Sequence, residues 1–353
     1  MTVLKTIKIA GREISVNLPP YVIAELSANH NGKLETALQL ISEAARAGAD
    51  AVKLQTYRPD TITLNSEGQD FQIHDGLWSG KTLYELYNEA HTPWEWHAPL
   101  FEHARKLGIT IFSTPFDFSA VDFLEELNAP AYKIASFELV DLPLIRYVAS
   151  KGKPMILSTG MAEYKEIQDA INAARDGGCR EIAILHCVSG YPAPAAEYNL
   201  RTIEDMRTHF DTVIGLSDHT KDNTTAIVSV AFGASIIEKH LTLNRLANGP
   251  DDSFSIEPDE LTLLCNGVRT AWDAIGKKFY GCKPSEYENK KFRRSLYFVK
   301  DLEIGDVITT ECVRSVRPGF GLAPKYFEEI IGKKISIKVS KNTPVSFDKI
   351  NFS

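Results

Sequence analysis

Two histidines close short apolar runs in this chain: His219 in GLSDHT (Gly215–Thr220) and His240 in IIEKHLT (Ile236–Thr242). The runs that lead to them, Thr212–Leu216 and Ala234–Ile237, have the composition of short strands. Parallel strands would deliver both imidazoles to one rim, where a pair of neutral rings could ligate a divalent metal. Two unrelated hydrogen-bonded histidines are the plain alternative. Their company favours the metal, because nearly every other apolar run also ends in polar groups. These are Glu25 with Asn29 to Asn31, Lys53 and Gln55, Ser113 and Thr114, and Lys133 with Ser136 and Glu138. Further along come Ser158 and Thr159, Ser189 and Tyr191, Ser217 and Asp218, and Glu238. Lys53 and Lys133 sit inside the runs DAVKLQ and AYKIAS. An unpaired ammonium is costly to bury, so both lysines are expected to meet an anion. Two lysines among hydroxyls and loop amides suit a ligand with a phosphate, or a phosphate and a carboxylate.

Periodicity indicates the elements that must bring these residues together. Strand candidates are Tyr21–Leu26, Ala51–Gln55, Thr110–Ser113, Ala131–Ala135, Pro154–Ser158, Glu181–His186, Thr212–Leu216 and Ser235–Glu238. A hairpin, Thr6–Ile9 with Glu13–Val16, precedes them. Between them lie amphipathic stretches, the first with Leu34, Leu38, Ile41 and Ala45 at helical spacing. Others span Ala120–Leu127, Leu142–Ser150, Tyr164–Arg175 and Thr224–Phe232, and Glu257–Ile275 is the last. Eight repeats of strand and helix predict a closed (β/α)8 TIM barrel, whose strand-end residues converge on one rim. No GxGxxG follows the first strand to support a doubly wound sheet. The longest insertion, Tyr57–His97, is rich in aromatics and reads as a lid or as buried packing.

Beyond the last helix the pattern changes. A first domain of 1–280 gives way to a polar linker, 281–291, and then to a small β-rich domain at 292–353. Its strand candidates are SLYFVKDL, DVITTECV and KKISIKVSKNTPVSF. The chain of 353 residues, 44% hydrophobic and 24% charged, is long enough for one large core and a second small one. A net charge of −7 disfavours nucleic acid as a partner. No apolar run is long enough for a membrane span, and MTVLKTIKIAGREI lacks a signal-peptide core, so a cytoplasmic protein is expected. The five scattered cysteines form neither a disulfide frame nor a zinc-thiolate pattern.

The motifs IAELSANHNG, AGADAVKLQ, FSTPFD, YKIASFE, LSTGMA, LHCVSGYP, GLSDHT, IEKHLTL and GPD, in this order, resemble the sialic acid synthases. Those enzymes condense phosphoenolpyruvate with an amino sugar. The tail RRSLYFVKDLEIGDVITTECVRSVRPGFG looks like that family's C-terminal antifreeze-like (SAF) domain. Within the family, TLYELYNEAHTPWEWH and VSGYPAPAAEYNLRTI are most similar to the pseudaminic acid synthases, whose acceptor is 2,4-diacetamido-2,4,6-trideoxy-L-altrose.

The resemblance implies that His219 and His240 hold Mn²⁺ or Mg²⁺, with Co²⁺ and Zn²⁺ as alternatives. It implies phosphoenolpyruvate on Lys53, Thr114, Lys133, Ser136, Glu138, Ser158 and Ser217. Glu25 handles protons, with Glu138 and Glu238 as alternates, and Asp251 orients water near the metal. Asn29, Ser189 and Tyr191 line the sugar. Arg317, in RPGFG, is expected to enter the site of the neighbouring subunit in a domain-swapped homodimer. Where sialic acid synthases commonly carry Asn, this chain has Ser189 followed by Gly190, and Asp252 is a further departure. N-acetylneuraminate or legionaminic acid synthesis is the alternative within the family. A Schiff-base aldolase using Lys133 and a non-catalytic carbohydrate-binding protein are the alternatives outside it.

Overall fold

The computed structural model describes residues 5–352. The first four residues of the N-terminal stretch and the last residue of the second domain lie outside that range. The chain divides into two compact units after Gly276.

In the first unit a hairpin, β1 (Ile7–Ile9) and β2 (Arg12–Ile14), precedes eight parallel strands. These are β3 (Tyr21–Glu25), β4 (Ala51–Thr56), β5 (Thr110–Pro115), β6 (Tyr132–Ile134), β7 (Met155–Ser158), β8 (Ile182–Cys187), β9 (Val213–Asp218) and β10 (Ile236–His240). They close into a barrel in chain order, with β10 paired to β3. The eight strands expected from the sequence are thus present, and several run one or two residues further toward the rim. β10 reaches His240 itself.

The helices are α1 (Leu34–Ala47), α2 (Pro59–Ile62), α3 (Leu83–Ala90), α4 (Trp94–Leu107), α5 (Phe118–Glu126), α6 (Leu142–Ala149), α7 (Tyr164–Asp176), α8 (Arg201–His209), α9 (Thr224–Ser229) and α10 (Pro258–Ile275). In α1, Ala37, Leu40, Ile41, Ala44 and Ala47 are buried, the spacing of one helical face. Gly48 ends it in the left-handed region at φ 86°, where a Cβ is disfavoured. The insertion expected over 57–97 is shorter than its sequence suggests. Trp94 already begins α4, which leaves 57–93 as the excursion, with the short helices α2 and α3 inside it.

Strand alternation sorts the barrel residues into two sets. Val22, Ala24, Val52, Leu54, Ile134, Leu157, Ile184 and Leu216 join the helices in the outer core. Tyr21, Ile23, Ala51, Phe112, Ala131, Ile156, Ala183, Leu185, Val213 and Ile236 fill the interior, and Ile7, Ile9 and Ile14 of the hairpin close it at the N-terminal end. The inward positions one step nearer the other end of the strands are polar, which makes that end of the barrel a site.

The second unit has its own small core of Leu296, Phe298, Ile308, Val313, Ile330, Ile335 and Val345. Strand β11 (Ser295–Phe298) pairs antiparallel with β12 (Val313–Val316), and β13 (Lys334–Ile335) with β14 (Ile350–Asn351); the short helix α11 (Phe327–Ile330) lies between the pairs. Two expectations need correction. DVITTECV forms only a single bridge from Val307 to Lys334 before its last residue, Val313, which begins β12, the partner of β11. The polar stretch 281–291 is not a free linker, because Pro284–Phe292 forms a 3-10 helix within this unit. Among the described residues no helix is long and apolar enough to cross a membrane.

Candidate active site

The polar layer begins where register places Glu25 of β3 between Lys53 of β4 and His240 of β10. On the adjoining strands Thr114, Lys133, Ser158, Ser217 and Glu238 are buried at equivalent inward positions. Lys53 Nζ lies 2.7 Å from Glu25 Oε2 and 3.8 Å from Glu238 Oε1, and donates to Thr114 Oγ1 at 3.1 Å. Lys133 Nζ lies 3.4 Å from the same Glu238 oxygen, which also accepts a hydrogen bond from Ser217 at 3.3 Å. Both lysines therefore meet anions, but these belong to the protein. Glu25 and Glu238 supply them.

The two carboxyls are driven apart. Burial raises the pKa of Glu25, Lys53 opposes that, and the charge of Glu238 adds to it. Glu238 is buried as deeply, but Lys133 and Lys53 outweigh the burial and hold it below the usual carboxylate range. Burial depresses Lys133, whereas in Lys53 the two carboxylates overcome burial and raise it. Such a split marks one carboxyl as a proton donor and the other as a fixed charge. The hydroxyl of Ser158, buried beside this cluster on β7, has no hydrogen-bond partner among the described residues.

Above this layer the rings of His219 and His240 lie 5.4 Å apart, centre to centre. His219 Nδ1 lies 2.8 Å from the carbonyl oxygen of Val188. A carbonyl only accepts, so Nδ1 carries the proton and Nε2 of a neutral ring keeps its lone pair. The backbone N–H of His219 donates to the Tyr198 hydroxyl at 2.6 Å, which fixes the loop after β9. His240 Nδ1 is buried without a hydrogen-bond partner, and the nearest carboxylate, Asp251 Oδ2, is 3.9 Å away. Burial and the neighbouring His219 hold His240 well below the ordinary histidine pKa, so it is a neutral donor. An orphaned buried nitrogen beside a second free lone pair fits a divalent cation. Among the described residues no third His, Cys, Asp or Glu joins them in a metal-holding group, so such a cation would take its other ligands from water or substrate.

The layer opens into a cavity of about 370 Å³ lined by Ser27, Gln55, Tyr191, His240, Asp251 and Glu138 and by apolar residues of the 57–93 excursion. Gln55 Nε2 donates to Glu25 Oε1 at 3.0 Å and to Ser27 Oγ at 2.9 Å, and Ser27 in turn donates to Asp251. Ser27 is held at φ 44°, a left-handed backbone unusual for a residue with a Cβ. Burial raises Asp251 to about 6 and Glu138 to about 7. Asp252, unexplained by the sequence, accepts hydrogen bonds from Thr242, from Asn31 at 3.1 Å and from the Gly249 N–H at 2.7 Å. It closes the loop that presents Asp251. Gly249 is required there, because a Cβ would stand 1.8 Å from Asn31 Oδ1.

Most residues chosen from the sequence gather at this end of the barrel. Ser136 accepts from the Gly160 N–H at 3.1 Å, and Ser189 lies 3.8 Å from the Cys187 sulfur, beside the histidines. Tyr191 stands with its ring 4.5 Å from that of His219. Asn29 is a correction: it is fully buried and donates to Leu241 O and Ser255 Oγ, so it ties loops together and does not line the cavity. Arg317, in the second unit, is exposed and makes no hydrogen bond or ion pair among the described residues. Ser27, Tyr57, Trp78 and Tyr87 were not singled out by the sequence. The left-handed turn at Ser27 has no sequence signal, and the three aromatics lie in an excursion whose periodicity assigns them no face.

The chain matches the model of the NeuB family over residues 40–280 and that of the SAF domain over residues 293–351. It is 44% identical to pseudaminic acid synthase of Helicobacter pylori, over 95% of this chain and 99% of that protein. It is 36% identical to N,N'-diacetyllegionaminic acid synthase of Campylobacter jejuni, over 88% of this chain and 94% of that protein. Among solved structures, N-acetylneuraminic acid synthetase of Leptospira borgpetersenii superposes with a TM-score of 0.73 at 31% identity, covering 82% of this chain and 96% of that one. The chain is thus similar to named synthases along nearly their whole length, and it is an enzyme that belongs to the NeuB family.

Proposed function

We propose that this enzyme is a pseudaminic acid synthase, which joins phosphoenolpyruvate to 2,4-diacetamido-2,4,6-trideoxy-β-L-altropyranose and releases phosphate by carbon–oxygen cleavage. The observation that carries this reading is the buried Glu25–Lys53 pair, with Lys133 and Glu238 beside it, directly beneath two histidines. Lys53 and Lys133 supply positive charge for the phosphate, and Thr114, Ser136, Ser158 and Ser217 supply hydroxyls around it. The enol carbon attacks the aldehyde carbon of the open-chain sugar, water adds to the cationic carbon that results, and the tetrahedral intermediate expels phosphate.

Glu25 delivers its proton to the oxygen of the former carbonyl, and Lys53 at 2.7 Å stabilises the carboxylate left behind. Asp251, beside His240, orients water. A divalent cation such as Mn²⁺ or Mg²⁺, held by His219 and His240, would supply Lewis acidity toward the carbonyl oxygen. The choice of acceptor is supported by 44% identity to a pseudaminic acid synthase against 36% to a legionaminic acid synthase. The test is phosphate release from phosphoenolpyruvate with Mn²⁺, and with chelator, across three acceptors. These are N-acetylmannosamine, the 2,4-diacetamido-6-deoxy mannose derivative and its L-altrose counterpart. Turnover is expected chiefly with the last and only with metal. Preference for N-acetylmannosamine would overturn the acceptor, and full activity in chelator the metal.

A further inference from the structure

Ser27 follows the end of β3 and sits at the second position of a turn, which the Asn29 N–H closes on Leu26 O at 3.0 Å. Its φ of 44° lies in the left-handed region, which a turn normally reserves for glycine, asparagine or aspartate at that position. Such strain persists where the side chain itself is needed. The Ser27 side chain is buried, and its hydrogen bonds run in one direction. Gln55 uses its amide N–H groups on Glu25 Oε1 at 3.0 Å and on Ser27 Oγ at 2.9 Å. Ser27 therefore accepts from Gln55, and its one hydroxyl proton goes to Asp251 Oδ2. That same carboxylate oxygen lies 3.9 Å from His240 Nδ1.

The backbone around Asp251 is held without this bond. Asp252 accepts from Thr242, Asn31 and Gly249, Ser255 donates to Asp251 O at 2.7 Å, and Trp78 donates to Pro250 O at 2.9 Å. What those bonds leave unset is the plane of the carboxylate, because the last torsion of an aspartate side chain has only broad preferences. The Ser27 hydroxyl and the Ala28 N–H both donate to that carboxylate. We propose that Ser27 is a positioning residue, whose hydroxyl sets the Asp251 carboxylate beside His240 and, through Gln55, in fixed relation to Glu25. Its hydroxyl bonds to Gln55 and Asp251 and not to Lys53 or Lys133, so it acts on the groups that handle protons and water rather than on the phosphate. This deepens the synthase reading above and rests on it.

Ser27→Gly and Ser27→Ala both remove the hydroxyl, but only glycine relieves the left-handed backbone. Steady-state phosphate release with the preferred acceptor saturating, and thermal unfolding of the metal-free proteins followed by circular dichroism, separate the two effects. The kcat should fall by about 10- to 100-fold in both variants alike, the loss usual for a group that orients another, with the KM for phosphoenolpyruvate unchanged. Ser27→Gly should nevertheless unfold at a higher temperature than Ser27→Ala. Adding Ser27→Gly to Asp251→Ala should cost no further activity, because the hydroxyl works through that carboxylate. If Ser27→Ala does not fold, Ser27→Gly and the double variant carry the comparison. A wild-type kcat in Ser27→Gly, a raised KM for phosphoenolpyruvate, or a loss that multiplies that of Asp251→Ala overturns the positioning role and leaves the synthase standing. Absence of phosphate release by the wild-type enzyme with every acceptor overturns the synthase reading, and this role with it.

Discussion

Glu25 and Glu238 face the same two ammonium groups, yet burial and charge give them opposite tasks. A Glu25→Gln enzyme keeps the shape and loses the proton, so phosphate release should fall by about 10²- to 10⁴-fold with secondary structure retained. A circular dichroism spectrum alongside the kinetics checks both. Glu138 allows a test by pH. Its carboxyl is raised to about 7 by burial, so between its unfolded value near 4.5 and pH 7 the folded state binds the extra proton. Stability is therefore highest below that window and declines as pH rises through it, by at most about 3 kcal/mol. In Glu138→Gln the decline should be smaller by that amount, which urea denaturation at pH 5 and pH 8 would reveal. An equal decline in both proteins would count against it.

Strand alternation explains why neighbours in sequence serve different ends. In β10, Glu238 and His240 point into the barrel while Lys239 between them points out. There its ammonium donates to Asp218 Oδ2 and to Thr220 O, each at 2.6 Å, and so ties the loop that bears His219 to the strand that bears His240. Removing one member strands a buried charge. Lys239→Met should cost about 3–5 kcal/mol in chemical denaturation, and the double variant with Asp218→Asn should recover a large part of it. Additive losses would show that the pair is not a clamp. The same alternation made the outward residues of each strand legible as core, because apolar runs of five or six residues are long enough to bury both faces.

At the scale of the whole enzyme, Arg317, exposed and unpartnered among the described residues, is the residue that the resemblance to the sialic acid synthases expects to complete the sugar site of a second copy. Mixing two inactive proteins tests this. Arg317→Ala keeps an intact barrel, and His240→Ala keeps an intact second domain. If the arginine acts in trans, co-refolded mixtures should regain about a quarter of wild-type activity, since half the dimers are mixed and each has one complete site. Activity no greater than that of the separate variants would remove the trans arrangement.

Legibility in the sequence followed the range of the forces involved. Strand and helix periods depend on near neighbours, so the eight βα units, the two histidines at strand ends and the two buried lysines stood out along the chain. The pairing of Lys53 with Glu25 did not, because those residues are 28 apart and meet only through the register of β3 on β4. Asn29 looked like a rim residue, and only the loops at Leu241 and Ser255 turned it inward as a tie. The excursion 57–93 has too short a helical period to assign its faces, so its apolar contribution to the cavity came from packing alone. Local pattern set the elements and the kinds of groups available. Closure of the barrel decided which of those groups meet, and with that their charges, because burial and proximity act on residues that the chain keeps far apart.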